Sequence, residues 1–175
     1  MFYIVWILVA VIGRLVIHIP DVTPLTSLCL LAPTVFSKRN SLLIIFCSLL
    51  LSDLCLHFIF HYAVLGSWTL FNYSGWSAVV LLGVLFAKKP TVFRALSFTV
   101  YGSLIFWVWS DFGTWCTSTL YAHTINGLMD CYIAALPFLR DAITGSLIWT
   151  GVLVYPILRH HIIHQHIPCL RNNVI

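Results

Sequence analysis

The sequence predicts an all-α protein, a polytopic membrane bundle of about six transmembrane helices. Of its 175 residues, 61% are hydrophobic and only 8% are charged, whereas a soluble domain usually carries about 25% charged residues. Because so few polar side chains cannot cover a water-facing surface, the lipid bilayer must surround the helices. We therefore expect residues 1–158 to form a single transmembrane domain, and residues 159–175 to form a short cytoplasmic tail rich in His and Arg.

Six apolar runs supply the expected helices, since about 20 helical residues cross the hydrocarbon core of a bilayer. The second run is short and opens with Thr23-Pro24, so we expect it to be tilted or partly re-entrant. The first run is expected to be a retained span, because Pro20-Asp21 follows it where a signal peptide would carry a small-residue cleavage site. The runs cover roughly residues 2–19, 23–36, 41–60, 68–87, 92–110 and 141–158.

A seventh segment lies between the last two runs and is too polar for a plain span but too apolar for a free loop. Its apolar residues follow helical spacing at positions 128, 131, 132, 135 and 136. We predict a helix near residues 120–137 that lies on the outer face or re-enters the membrane, and that breaks or kinks at Pro137. It would either cap a cavity or be an interfacial helix without a ligand role.

The basic residues predict the orientation of the bundle. With a cytoplasmic N-terminus, seven of the nine Lys and Arg residues fall on the cytoplasmic side, as the positive-inside tendency requires. Both termini are then cytoplasmic. Orientation also accounts for the net charge of +4, and we expect no nucleic-acid partner. The seven residues are Lys38, Arg39, Lys88, Lys89, Arg94, Arg159 and Arg171.

The acidic residues predict a site on the opposite side. In this topology all five Asp residues, with Arg14 and Arg140, lie in the outer half of the bundle. Because charges in lipid are costly, such residues usually face the bundle interior or a wet cavity. We therefore predict a polar cavity that opens to the non-cytoplasmic side. Its candidate ligand-binding residues are Arg14, His18, Asp53, His57, Trp115, His123, Asn126, Asp130 and Arg140.

Several of these residues have more than one interpretation. Arg14 and His18 share a helix face, so Arg14 would bind an anionic ligand, pair with a nearby acid or reach the lipid headgroups. Asp53, His57 and His61 are spaced i, i+4 and i+8, which fits pocket lining, proton coupling, structural hydrogen bonding or a metal site. One helix rarely completes a metal coordination shell, so we expect no metal and no other cofactor.

Catalytic motifs are absent from the sequence, including the nucleophile elbow, the zinc-protease HExxH, the Walker loop and the dinucleotide-binding glycines. We therefore expect a protein without enzymatic activity and with no catalytic residue. A membrane-embedded enzyme that uses Ser52-Asp53 beside the histidines is the least favoured alternative. An assembly or interaction protein with a structural polar layer is the alternative to solute capture.

Six motifs together resemble a family of uncharacterised, small, bacterial integral membrane proteins, over about residues 14–155. The resemblance implies the inner membrane of a bacterium. The family is similar in size and span count to the substrate-capture components of energy-coupling-factor transporters, which implies an outward solute site and energising partner subunits. Asp111 departs from the pattern, where we expect Asn, and Ser146 departs where we expect Asp. The motifs are Arg14-x-x-x-His18-x-Pro20-Asp21-x-Thr23-Pro24, Ser52-Asp53, Asp111-Phe112-Gly113-x-Trp115, Tyr121-x-His123-Thr124-x-x-Gly127-Leu128, Cys131-Tyr132-x-Ala134-Ala135-Leu136-Pro137-Phe138 and Thr144-Gly145.

Overall fold

The structure, a computed structural model, describes residues 2–16, 22–61 and 63–171, with side chains described up to Arg159. Within these ranges the chain forms helices and no strand. The helices are α1 (Phe2–Val16), α2 (Leu25–Val35), α3 (Lys38–Phe60), α4 (Thr69–Ala87), α5 (Val92–Thr117) and α6 (Ile125–Arg171).

The predicted helical membrane bundle is confirmed at the level of the helices. Four of them, α3, α4, α5 and α6, are long and apolar enough to cross a membrane. The other two, α1 and α2, are shorter apolar helices. All six helices fall on the six apolar runs of the sequence, and their exposed faces carry large apolar side chains such as Leu50, Leu81 and Val108. Such faces suit contact with lipid.

The short helix α2 is the centre of the bundle. All its residues from Leu25 to Ala32 are buried, and it contacts each of the other five helices. A helix that is enclosed by protein does not need the length of a lipid-exposed span. Its 11 residues therefore agree with the short second run, and they place Thr26 and Ser27 inside the bundle.

The structure differs from the sequence-based expectation at α6. The helix expected near residues 120–137 is not a separate element but the first part of α6, which continues through Pro137 for 47 residues in all. Helix α5 holds this part in place, because Trp107 Nε1 donates to the Ala135 carbonyl at 3.2 Å and Tyr132 Oη donates to the Val108 carbonyl at 2.8 Å. Proline is tolerated within such helices when neighbouring groups replace the lost backbone bonds.

Three buried hydroxyls join α2, α5 and α6. Thr150 Oγ1 lies 2.8 Å from Thr99 Oγ1 and donates to Ser27 Oγ at 2.8 Å. Ser27 Oγ in turn donates to the Ser146 carbonyl at 2.9 Å. The side chains of Ser27, Thr99 and Thr150 are fully buried, so these bonds form without competition from water. Hydrogen bonds of this kind link helices inside membranes.

Replacement of Thr150 by valine is expected to lower the free energy of unfolding by about 1–2 kcal/mol. Valine keeps the shape of the side chain but leaves Ser27 and Thr99 without their shared partner. Thermal unfolding in detergent measures the change. The matched control is Thr144→Val on the same helix, since Thr144 is exposed and bonds only to carbonyls of its own helix. Equal losses from both variants would contradict a stabilising role for the network.

The charged residues divide between the two ends of the bundle. Lys38 begins α3, Lys88 and Lys89 connect α4 to α5, and Arg159 lies in the part of α6 that returns to this end. The described aspartates lie in the other half, toward the end of α3 and α5 and the beginning of α6. We call the half of the bundle that contains these aspartates the acidic half.

Candidate functional site

The ion pair in the acidic half joins α1 to α3. Arg14 Nη1 lies 2.8 Å from Asp53 Oδ1 and donates to Ser52 Oγ at 2.5 Å. Tyr73 Oη on α4 donates to the other carboxylate oxygen, Asp53 Oδ2, at 3.0 Å. Both oxygens of Asp53 are thus occupied by partners from two neighbouring helices.

The Arg14–Asp53 cluster, which comprises Arg14, Ser52, Asp53 and Tyr73, is largely withdrawn from solvent. The side chains of Arg14 and Asp53 are 20% and 14% exposed. Among the interpretations of Arg14, the pairing with a nearby acid is the one that the structure contains. Because each charge has an opposite charge or a hydroxyl within hydrogen-bonding distance, the cluster fixes α1, α3 and α4 relative to one another.

A small cleft opens beside this cluster, with a volume of about 250 Å³. We call it the Arg14 cleft. Its other walls come from the α3–α4 connection and from the first turns of α4, so that it faces the acidic end. Its lining residues are Arg14, Asp53, Leu56, Ala63, Val64, Trp68 and Asn72.

A second cavity of about 250 Å³ lies between α2, α4, α5 and α6. We call it the Ser103 cavity. Hydroxyl groups, one carboxylate and four aromatic rings share its wall. Most of these side chains come from α5, which runs along one side of the cavity. The lining residues are Thr23, Thr26, Trp76, Ser103, Phe106, Trp107, Ser110, Asp111, Phe138 and Ala142.

Ser103 distinguishes this cavity from the Arg14 cleft. Its side chain is only 2% exposed, and its Oγ has no hydrogen-bond partner in the described part of the chain. A buried hydroxyl without a partner is costly, and most native hydroxyls avoid this state. Because Ser103 lines this cavity, a molecule that binds there would be the partner that its hydroxyl lacks.

The two spaces are neighbours along α4. Trp76 Nε1 donates to Asn72 Oδ1 at 2.9 Å, and the two residues are one helical turn apart. The Trp76 ring lines the Ser103 cavity, whereas Asn72 lines the Arg14 cleft. Trp76 also stacks on Phe106, with ring centroids 3.9 Å apart. A molecule that displaced Trp76 would therefore affect both spaces.

The structure does not gather the eight described candidate ligand-binding residues around one cavity. Arg14 and Asp53 meet, as described above. Trp115 and His123 form a second pair, with ring centroids 5.5 Å apart, and Trp115 Nε1 donates to the Ala122 carbonyl at 2.9 Å. This pair lies at the end of α5 and in the following connection.

The remaining candidates lie elsewhere. His57 is exposed on α3, and its ring centroid lies 5.6 Å from that of Phe58. Asn126, Asp130 and Arg140 are exposed on α6. His18 lies outside the described residues. No three His, Cys, Asp or Glu side chains among the described residues are arranged to hold a metal ion, and the described cysteines are free thiols.

Sequence reasoning missed Ser103 and Ser110, which are uncharged and stand within an apolar run. A signal was present, because Ser103, Phe106, Trp107 and Ser110 follow the i, i+3, i+4, i+7 spacing of one helix face. A polar residue at each end of such a stripe indicates a face turned toward the protein interior. Tyr73, which completes the Arg14–Asp53 cluster, was also missed.

Comparison with known proteins identifies a family. The sequence profile of a family of unknown function, DUF6580, matches residues 1–165, so the chain belongs to this family. This confirms the resemblance to an uncharacterised family. Neither the curated proteins nor the solved structures contain a match to the chain.

Proposed function

We propose that this DUF6580 member is a solute-binding membrane protein that captures a small water-soluble molecule in the Ser103 cavity. The observation that carries the proposal is the buried Ser103 hydroxyl, which lines the cavity and has no partner in the described part of the chain. A solute that accepts or donates a hydrogen bond would satisfy this group. In this proposal the protein binds the solute without converting it chemically.

The lining and the size of the cavity support binding of a small molecule. Ligand sites combine apolar and aromatic walls with a few polar groups that fix orientation, and they usually enclose roughly 300–1,000 Å³. The Ser103 cavity has this mixture, with rings such as Phe106 and Trp107 beside the hydroxyls of Thr26 and Ser110. Its volume of about 250 Å³ lies just below that range and fits only a small solute.

The membrane setting follows from the charge distribution. The helices suit a bilayer by length and composition, and the positive-inside tendency assigns the basic end, with Lys38 and Lys88, to the cytoplasm. Solute would then enter from the non-cytoplasmic side, with both termini cytoplasmic, in the inner membrane of a bacterium. Because the sequence has no nucleotide-binding motif, energised uptake would require partner subunits, as in the transporters that the family resembles in layout.

A second candidate is an assembly protein whose polar residues are structural. The Arg14–Asp53 cluster favours it, because the charge of Asp53 is already paired with that of Arg14 and each of its oxygens is bonded within the chain. Native mass spectrometry of protein extracted in mild detergent separates the two candidates. A retained small molecule supports solute capture, and a stoichiometric protein partner without a small molecule supports assembly.

Replacement of Ser103 by alanine tests the proposal directly. The variant is expected to be as stable as the wild type or slightly more stable without solute, because the hydroxyl has no bond to lose in the described chain. Its affinity for solute is expected to fall by about fivefold to thirtyfold, which corresponds to one lost hydrogen bond. Retention of solutes from an equimolar mixture of water-soluble vitamins, amino acids and amines, read by native mass spectrometry, gives the affinity ranking.

Ser48→Ala is the matched control. Ser48 is a buried serine on α3 that bonds to the Ile44 carbonyl of its own helix and does not line the Ser103 cavity. Its replacement is expected to leave solute retention unchanged. If Ser103→Ala lowered stability and left retention unchanged, Ser103 would be a structural residue and the proposal would fail.

A further inference from the structure

The Ser103 cavity contains one ionisable side chain among the described residues that line it. That residue is Asp111, in the last turns of α5. The remaining lining residues are hydroxyl-bearing, aromatic or small. Arg140, two residues before the lining residue Ala142 on α6, is exposed and does not line the cavity. Among the described lining residues, the charged group is therefore the negative carboxylate of Asp111.

Aromatic rings adjoin the carboxylate. Trp76, Phe106, Trp107 and Phe138 line the same space. The faces of aromatic rings attract cations through their quadrupole, and the attraction grows when the cation is removed from water. A carboxylate together with several rings favours an organic cation over an anion, which the same carboxylate would repel. A neutral donor would gain a hydrogen bond to the carboxylate but not the attraction between two full charges.

The arrangement along α5 indicates an elongated ligand. Ser103 and Asp111 are eight residues apart on one helix, which corresponds to about 12 Å of rise. Phe106 and Trp107 lie between them along α5. The cavity thus has a carboxylate toward one end, rings in the middle and the unpartnered hydroxyl toward the other end. Thr26 and Trp76 add to the wall from α2 and α4.

Asp111 also interacts elsewhere within the chain. This does not prevent recognition of a cation, because a carboxylate has two oxygens and about four lone-pair directions, so that it accepts from several donors at once. Its backbone carbonyl is the acceptor for Cys131 Sγ at 3.6 Å, which ties this turn of α5 to α6. The carboxylate therefore stands on a fixed part of the bundle.

We propose that the solute of the Ser103 cavity is a small organic amine, with its ammonium group at Asp111, an apolar or aromatic body against Phe106 and Trp107, and a hydrogen-bonding group at Ser103. This inference rests on the proposed function and specifies the class of its ligand. In this proposal Asp111 selects the charge of the ligand, and Ser103 selects the polar group at the opposite end of the ligand.

Three probes that share one aromatic body test the inference: 2-phenylethylammonium, 2-phenylethanol and 3-phenylpropanoate. They carry a positive, a neutral and a negative end group. Binding to the purified protein in detergent is followed by the quenching of tryptophan fluorescence, since Trp76 and Trp107 line the cavity. The wild type is expected to bind the ammonium probe at least about tenfold more tightly than the alcohol, with the carboxylate weakest.

Asp111→Asn keeps the shape of the side chain and removes its charge. This variant is expected to bind the ammonium probe and the alcohol with affinities within about threefold of each other. Asp130→Asn is the matched control, because Asp130 is exposed on α6 and does not line the cavity. It should retain the wild-type preference. Thermal unfolding verifies that each variant is folded, and Asp111→Glu, which restores the charge, should recover part of the preference.

The failure of this inference is distinguishable from the failure of the proposed function. A wild-type protein without preference for the ammonium probe, or a preference that survives in Asp111→Asn, overturns the assignment of an amine. If Ser103→Ala nevertheless weakened the retention of a neutral or anionic solute, solute capture in this cavity would stand with a different ligand class.

Discussion

Replacement of Asp53 by leucine, or of Arg14 by methionine, is expected to destabilise the protein strongly, whereas the two replacements together are expected to cost much less. Either single change leaves one charge in a largely enclosed site without its partner. Breaking a fully buried ion pair costs about 3–5 kcal/mol. Because Arg14 and Asp53 are 20% and 14% exposed, we expect roughly 2–4 kcal/mol for each single variant.

The double variant removes both charges and fills the space with apolar side chains. Such replacements of buried ion pairs are often close to neutral. Tyr73 would lose its acceptor, which leaves a residual cost of about 1 kcal/mol. The double-mutant cycle should therefore give a coupling energy of at least about 2 kcal/mol between Arg14 and Asp53. Unfolding by denaturing detergent, followed by circular dichroism, measures all four proteins.

Arg140→Met and Asp130→Leu provide the control cycle at the same end of the bundle. Both residues are exposed on α6 and form no ion pair with each other. Surface replacements of this kind usually change stability by less than about 0.5 kcal/mol. If the losses for Arg14→Met and Asp53→Leu simply added in the double variant, the pair would not be the unit that holds α1 to α3.

The helices were predictable because lipid imposes a simple rule on the sequence. Every run that a bilayer must enclose is apolar, and each run starts or ends at a charged residue, a proline or a polar connection, such as Lys38 or Lys88-Lys89-Pro90. The short second run predicted a tilted or partly re-entrant helix, whereas the enclosure of α2 by the other five helices is evident only from the structure. The continuity of α6 through Pro137 was not predictable, because the contacts that hold this part of the helix, among them the hydrogen bond from Trp107 to the Ala135 carbonyl, come from another helix.

The site was only partly predictable, for a different reason. Charge in an apolar sequence indicates that a residue needs a partner, and this reasoning brought Arg14 and Asp53 into one set. It does not reveal where a charged residue near a membrane surface is satisfied by water, as the exposed Asp130 and Arg140 can be. Ser103 carries no charge, and its lack of a partner becomes visible only when the packing of α2, α4, α5 and α6 is known.

Replacement of Gly83 by alanine is expected to lower the free energy of unfolding by about 1–3 kcal/mol, as in other overpacked interiors. Gly83 is buried on α4, where that helix lies against the backbone of α2. A methyl group at this position would lie 2.5 Å from the carbonyl oxygen of Leu30 and 3.0 Å from that of Cys29. Since ordinary C···O contacts are 3.3–3.6 Å, the two helices would have to separate by roughly 1 Å.

Gly151→Ala on α6 is the matched control, because a methyl group there would meet nothing within 4 Å. That variant should be more stable than the wild type by about 0.5–1 kcal/mol, which is the helical preference for alanine over glycine. The same preference acts at Gly83, so the difference between the two variants isolates the cost of separating α2 from α4.

That separation also moves Thr26 on α2 away from Trp76 on α4, and both residues line the Ser103 cavity. Gly83→Ala should therefore weaken solute retention as well. If Gly83→Ala and Gly151→Ala were equally stable, the close contact between α2 and α4, on which the cavity depends, would be contradicted.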